Sequence, residues 1–177
     1  MKNSRNVFLV GLMGAGKTTV GRALARKVGK EFHDSDQEIE ARTGVRVSLI
    51  FEIEGEPGFR RREAETVERL TGLDNIVLAT GGGAVLDASN RAFLASRGCV
   101  IYLHARPAEL AKRLGRDHTR PLLQGIEPKT RLEDLYQRRD ALYREIADIV
   151  METGRQSAQV LTEQLVERLE RECRLSA

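Results

Sequence analysis

Short apolar runs alternate along this chain with longer amphipathic stretches. Five runs have strand length, at residues 6–10, 31–33, 76–79, 99–103 and 149–151. Between them the pattern predicts helices over 17–28, 35–43, 56–71, 89–97, 107–114, 131–146 and 158–174. Val20, Leu24 and Val28 share one face of the first helix, and Gly29 ends it. In the last helix Val160, Leu161, Leu165 and Leu169 predict packing on the core. Such alternation predicts an α/β fold, a parallel sheet flanked by helices, with ligands at the carboxyl ends of the strands. Gly11, Asp34, Gly81 and Arg106 follow strand candidates, where a site should lie.

Two segments break the rhythm. Residues 44–62 carry short helical pieces with Val47, Leu49, Ile50 and Phe51, which suits an inserted substrate subdomain. Residues 115–129 hold Gly, His and two Pro, with few apolar positions besides Leu122, Leu123 and Ile126. A stretch of that kind reads as a mobile lid or a disordered insert. No internal repeat is present, and 177 residues suit one compact domain.

The first strand runs into Gly-Leu-Met-Gly-Ala-Gly-Lys-Thr, which fits G-x-x-x-x-G-K-[ST] from Gly11 to Thr18. Strand, glycines, Lys-Thr and helix come in the order that a phosphate-binding loop requires. Its glycines let successive N–H groups turn toward anionic oxygens, and the helix N-terminus adds partial positive charge there. Lys17 is placed to reach the β- and γ-phosphates, and the Thr18 hydroxyl to ligate Mg²⁺.

Three further clusters carry chemistry. Asp34 and Asp36 flank Ser35 after the second strand. They can divide metal holding from orientation or deprotonation of an acceptor hydroxyl, although helix capping accounts for such a pair equally well. The third strand ends in Thr80-Gly81-Gly82-Gly83. Glycines there allow a close approach of backbone or ligand, and Thr80 can position a metal-bound water where related sites place an acid. Among the basic residues, Arg60, Arg61 and Arg62 point in different directions around a helix, so one can face the site. Arg139 lies one turn before Tyr143 and suits a bidentate carboxylate contact, and Arg120 in the lid suits an arginine finger. Taken singly, each arginine reads as a surface residue.

Composition narrows the classes. Hydrophobic residues at 41% against 31% charged argue for a folded globule, and a net charge of +3 is too small to imply nucleic acid. Low aromatic content removes a base-stacking platform. Cys99 reads as a small buried residue and Cys173 as an exposed one, with no zinc spacing. His33, His104 and His118 show no metal spacing either. No signal peptide or membrane span is visible, so a cytoplasmic protein is expected.

In this order the pieces resemble the shikimate kinase family over most of the chain. The resemblance rests on Gly11–Arg22, Asp34-Ser-Asp36, Ile39-Glu40, Ile50-Phe51, Gly55-Glu56, Phe59-Arg60, Thr80–Val85, Arg120-Pro-Leu-Leu123 and Arg139 with Tyr143. It implies a P-loop kinase of the nucleoside-monophosphate-kinase type. That fold has a five-stranded parallel sheet, a shikimate-binding subdomain at about 34–62 and a mobile lid at about 115–127. The implied reaction moves the γ-phosphoryl group of ATP to the 3-hydroxyl of shikimate, with Mg²⁺, toward chorismate and the aromatic amino acids.

By the same resemblance Gly14, Ala15, Gly16, Lys17, Thr18 and Thr19 hold the ATP phosphates, Thr18 binds Mg²⁺ and Asp34 acts on it through water. Asp36 binds and orients the acceptor, Arg60 and Arg139 grip its carboxylate, and Gly82 binds it through the backbone. Phe51 and Phe59 wall the pocket. Arg120 and Lys17 act on the transferring phosphate. Gln156 aligns with a nucleotide contact and Arg113 lies near the adenine, but the loop 152–158 lacks the proline common in the family. A monomer acting on a small molecule is implied, with no nucleic-acid or membrane partner. Two other readings stay open: a different small-molecule kinase of this fold, such as gluconate kinase, or a non-catalytic shikimate-binding regulator. No Asn-Lys-x-Asp guanine motif supports a GTPase switch.

Overall fold

The computed structural model describes residues 6–114, 125 and 127–174. Five strands pair in the order β2-β3-β1-β4-β5, all parallel. They are β1 (Val7–Val10), β2 (Glu31–Asp34), β3 (Ile76–Ala79), β4 (Cys99–His104) and β5 (Ile149–Glu152). The inner strands β1, β3 and β4 are buried at every position, so they are apolar almost throughout rather than alternating. The connecting helices are α1 (Lys17–Lys27), α2 (Ser35–Thr43), α3 (Val47–Thr71), α4 (Ala88–Arg97), α5 (Pro107–Leu114), α6 (Pro128–Ile146) and α7 (Ala158–Cys173). Helix α1 packs with α7, while α3, α4, α6 and α5 pack in a second series, as cover on both faces of a parallel sheet requires.

From β1 the chain first builds one edge of the sheet, through β2 and β3, then crosses to β4 and β5. The reversal of strand order opens a crevice at the carboxyl ends around β1. Gly21, in the middle of α1, shows how tightly helix and sheet meet. A Cβ there would lie 2.7 Å from the Phe32 ring and 2.9 Å from Leu9. The helix therefore accepts the roughly 1 kcal/mol penalty of an internal glycine.

The predicted elements are all present, with shifted ends. Helix α3 spans more than the predicted 56–71 because two helical pieces join across Gly55, whose φ of 69° breaks the helical geometry. Pro57 then falls in the first turn of the second piece, where its missing N–H costs little. Helix α6 starts at Pro128, before the predicted 131, because Glu127 caps the backbone N–H groups of Lys129 and Thr130. Asn6 is no strand residue. Its buried side chain donates to Leu73 O at 2.6 Å and accepts from Ile76 N at 3.1 Å, tying β1 to the start of β3. A short 3₁₀ turn, Ala84–Leu86, follows the glycines. A second, small apolar cluster of Ile39, Ile50 and Phe59, with Val47 and Phe51 against it, joins α2 to α3.

Two expectations fail. Val160 is 42% exposed, and Thr162 takes its place in the core beside Leu161, Leu165 and Leu169, since a four-residue step keeps the helix phase and Val160 lies off it. Cys173 is not an exposed thiol, nor is Cys99 a lone buried one. They form a disulfide with Cα atoms 6.2 Å apart. Helix α7 runs back from the carboxyl end of β5, so its last turn returns to the level where β4 begins.

Candidate active site

The phosphate loop joins β1 to α1 with Gly14 at φ 80° and Gly16 at φ 95°, values that suit glycine. Its first glycine is pressed against β4: a Cβ on Gly11 would lie 2.6 Å from Leu103 O. Lys17 is buried, and its Nζ donates to Gly11 O at 2.7 Å and Leu12 O at 2.9 Å. The ammonium group thus lies over the loop that would cradle phosphate. Arg113, on α5, donates to Gly14 O, Thr153 O and Gly154 O. It ties this loop to the loop after β5, in which Gln156 is exposed.

Asp34 does two jobs. One carboxylate oxygen caps α2, accepting from Asp36 N and Gln37 N. The other accepts from Thr18 Oγ1 at 2.7 Å. The capping and metal-holding readings of Asp34 are therefore compatible. Thr18 and Asp34 present hard oxygens side by side, a donor set that fits Mg²⁺. Among the described residues no three His, Cys, Asp or Glu side chains gather to hold a metal. Mg²⁺ needs no such cage, because substrate phosphates and water complete its shell. The Thr80 hydroxyl donates to Leu9 O at 2.9 Å, binding β3 to β1 and leaving its oxygen as an acceptor.

The three glycines after β3 make room for three separate partners. A Cβ on Gly81 would lie 2.7 Å from Glu63 Oε2 and 2.9 Å from Asp36 Oδ1. On Gly82 it would lie 3.4 Å from both Arg139 Nη1 and Gly11 O. On Gly83 it would fall 2.3 Å from both terminal nitrogens of Arg60. This turn brings the phosphate loop, Asp36, Arg60 and Arg139 together. Of the basic run at 60–62, Arg60 faces the site, while Arg62 pairs with Glu54 on the surface. Phe51 and Phe59 stack with ring centres 4.7 Å apart beside it.

Glu63 belongs to this group and was missed. It is 1% exposed and accepts from Arg60 Nη1 at 2.7 Å. Burial pushes its carboxyl above the usual range, against the pull of Arg60 and Arg139. Burial works against the charge on Arg60, yet Glu63 and then Glu56 outweigh it and hold that guanidinium firmly protonated. The remaining Glu63 oxygen, Oε2, and Arg139 Nη1 are both buried without a hydrogen-bond partner. Paired polar atoms are the rule in interiors, so these two stand ready for a polar partner. Arg120 lies outside the described residues, as does the segment expected to form a lid at about 115–127 apart from Gly125 and Glu127.

A phosphate-binding loop with the Thr18 and Asp34 oxygens beside it and two arginines across the glycine turn fits a small-molecule kinase of the P-loop class. The shikimate kinase family model matches residues 13–170. A shikimate kinase of Methylococcus capsulatus is 56% identical over 171 residues, covering 97% of this chain and 96% of the relative. One of Chromobacterium violaceum is 59% identical, with 95% and 91% covered. The solved shikimate kinase of Acinetobacter baumannii, in complex with shikimate, superposes with a TM-score of 0.93 at 47% identity, covering 99% of this chain and 97% of that one. A gluconokinase from Sinorhizobium meliloti shares the fold alone, at 17% identity and a TM-score of 0.65. The chain belongs to the shikimate kinase family: it is an ATP- and Mg²⁺-dependent kinase of shikimate.

Proposed function

We propose the following division of labour in the transfer of the γ-phosphoryl group of ATP to the 3-hydroxyl of shikimate. Gly14, Ala15, Gly16, Lys17, Thr18 and Thr19 hold the phosphates through backbone N–H groups, the ammonium and hydroxyls. Thr18 holds Mg²⁺, with Asp34 behind it through water, and the ion supplies charge neutralisation between the phosphates. Lys17 and Arg120 face the charge that develops on the transferred group, and Gln156 with Arg113 borders the nucleotide.

Asp36 accepts the hydrogen bond of the attacking hydroxyl, orients it and takes its proton as the bond to phosphorus forms. Arg60 and Arg139 hold the substrate carboxylate, Gly82 binds the substrate through its backbone, and Phe51 and Phe59 exclude water around the ring. The substrate subdomain is the α2–α3 region at about 34–62, and 115–127 closes as a lid.

The observation that carries this reading is the glycine turn, which packs Asp36, Arg60 and Arg139 against the phosphate loop in one crevice. All these groups come from one chain, which supports a monomer. ATP and small biosynthetic acids as substrates support a cytoplasmic enzyme. The Cys99–Cys173 bridge stands against that location, since cytosolic disulfides are rare.

Asp36→Asn tests the central role. It keeps the shape and removes the base, so turnover should fall by about 10²–10⁴-fold, the usual share of general-base catalysis. The KM for MgATP should stay within a factor of about two, because a role confined to the acceptor leaves uniform nucleotide binding intact. Turnover near that of the parent in the folded variant would remove Asp36 from the mechanism.

A further inference from the structure

Tyr143 carries a buried hydroxyl that none of the roles above uses. It lies on α6 one turn after Arg139 and is 1% exposed. The hydroxyl donates to Gly82 O at 2.6 Å. Burial pushes the phenol far above its ordinary range, so it keeps its proton and acts as the donor. The Arg139 guanidinium lies close by: a Cβ on Gly82 would be 3.4 Å from its Nη1. The hydroxyl is therefore bonded to the backbone of one residue assigned to the substrate, Gly82, beside a second, Arg139.

The geometry of the peptide gives this bond a consequence. The bond between Gly82 and Gly83 is planar and trans, so fixing the Gly82 carbonyl on Tyr143 aims the Gly83 N–H the opposite way. Gly81 N donates to Ser35 Oγ and Ala84 N to Gly81 O. Among the described residues no protein acceptor takes the N–H of Gly82 or Gly83. A glycine run has more backbone freedom than any other sequence, and a turn left loose would sample many arrangements of those donors. The Tyr143 ring is itself held, packed on Tyr102 with centres 4.9 Å apart.

We propose that Tyr143 is a positioning residue for acceptor binding, locking the Gly82–Gly83 peptide in one arrangement beside the Arg139 guanidinium. It touches neither the phosphates nor the reacting hydroxyl. Its loss therefore falls on shikimate binding and spares the nucleotide. This rests on the assignment of Arg139 to the substrate carboxylate and of the Gly82 backbone to the substrate.

The test is Tyr143→Phe, which keeps the ring and deletes the hydroxyl, assayed beside Arg139→Ala, the double variant and Tyr102→Phe. In Tyr143→Phe the KM for shikimate should rise roughly five- to tenfold, the loss of one net hydrogen bond, while kcat and the KM for MgATP stay within about twofold. The double variant should lose less than the product of the two single losses, because both residues border the same glycine turn and serve the same bound acid. Tyr102→Phe, which removes the buried hydroxyl bonded to Asp140, should leave the shikimate KM unchanged. An unchanged shikimate KM in Tyr143→Phe overturns the proposal, provided Arg139→Ala raises it. An unchanged KM in Arg139→Ala overturns the carboxylate assignment, and the proposal with it. Equal losses in kcat, both KM values and melting temperature would make Tyr143 structural only, and overturn the proposal too.

Discussion

Gly83→Ala should disable acceptor binding through a residue it pushes rather than one it deletes. Gly83 has φ −91° and ψ 0°, which alanine can adopt, so the backbone need not move. The new Cβ would lie 2.3 Å from both Arg60 terminal nitrogens and 2.4 Å from Cζ. Ordinary contact starts near 3.5 Å, so the guanidinium must withdraw by about 1 Å. It can do so, because its side chain is 21% exposed, but the 2.7 Å bond to Glu63 does not survive the shift. Losing one charge-assisted contact to the substrate carboxylate costs about 1.5–3 kcal/mol. At about 1.4 kcal/mol per tenfold, the KM for shikimate should rise by roughly ten- to a hundredfold. Glu63 remains beside Arg139 and can take up a proton. The folding cost is then about 1–2 kcal/mol, a drop in melting temperature of roughly 2–8 °C. Initial rates of ADP release, with shikimate varied at saturating MgATP and the reverse, measure both constants. A folded Gly83→Ala protein whose shikimate KM stays within threefold of the parent would falsify the placement of Arg60. An equal rise in the KM for MgATP would do the same.

Glu63 gives a dependence on pH. Its carboxyl is raised, and Arg60 needs the ionised form as an anchor, so the shikimate KM should climb as pH falls through that raised pKa and level off above it. Glu63→Gln should hold the KM at its acid value across the range, and a variant profile parallel to the parent's would refute the anchor role. The Cys99–Cys173 bridge spans 74 residues, and loop closure of that length is worth about 4 kcal/mol in the unfolded chain. Reduction, or Cys173→Ser, should therefore lower the melting temperature by about 10 °C. Turnover should be unchanged, because the bridge lies at the amino ends of the strands, opposite the site. Equal melting of oxidised parent and variant would rule the stabilisation out.

How much was legible follows from how local each feature is. The phosphate loop is one contiguous segment between a strand and a helix, so its letters and its shape coincide. Asp34 was readable as a cap or a metal holder because its two oxygens are separately placed, one capping α2 and the other beside the Thr18 hydroxyl. Glu63 hid in Arg60-Arg61-Arg62-Glu63, which looks like a solvated helix face. Its i, i+3 spacing from Arg60 was the available signal, since residues so spaced touch on a helix. Burial at that position depends on the glycine turn of another strand, and no local pattern reports it. The disulfide was invisible for a similar reason. Its two residues meet only because α7 runs the full depth of the sheet back to the start of β4. Thr162 displaced Val160 from the core because helix phase outweighed side-chain hydrophobicity.

The fold by itself does not choose the acceptor, since a gluconokinase with 17% identity shares it. The choice falls to groups outside the phosphate loop. Arg60 is already paired with Glu63 and Glu56, whereas the buried Arg139 Nη1 has no hydrogen-bond partner. On the proposed assignment, the substrate carboxylate supplies that partner. A neutral polyol would leave the nitrogen unpaired, at about 1–3 kcal/mol. Rejection therefore comes from what the wrong acceptor leaves unmade, which discriminates better than any fit of apolar surface. The glycine turn is what makes this possible. Side chains at 81, 82 or 83 would occupy the space in which Glu63, Arg139 and Arg60 approach the phosphate loop closely enough for carboxylate binding and phosphoryl transfer to share one crevice.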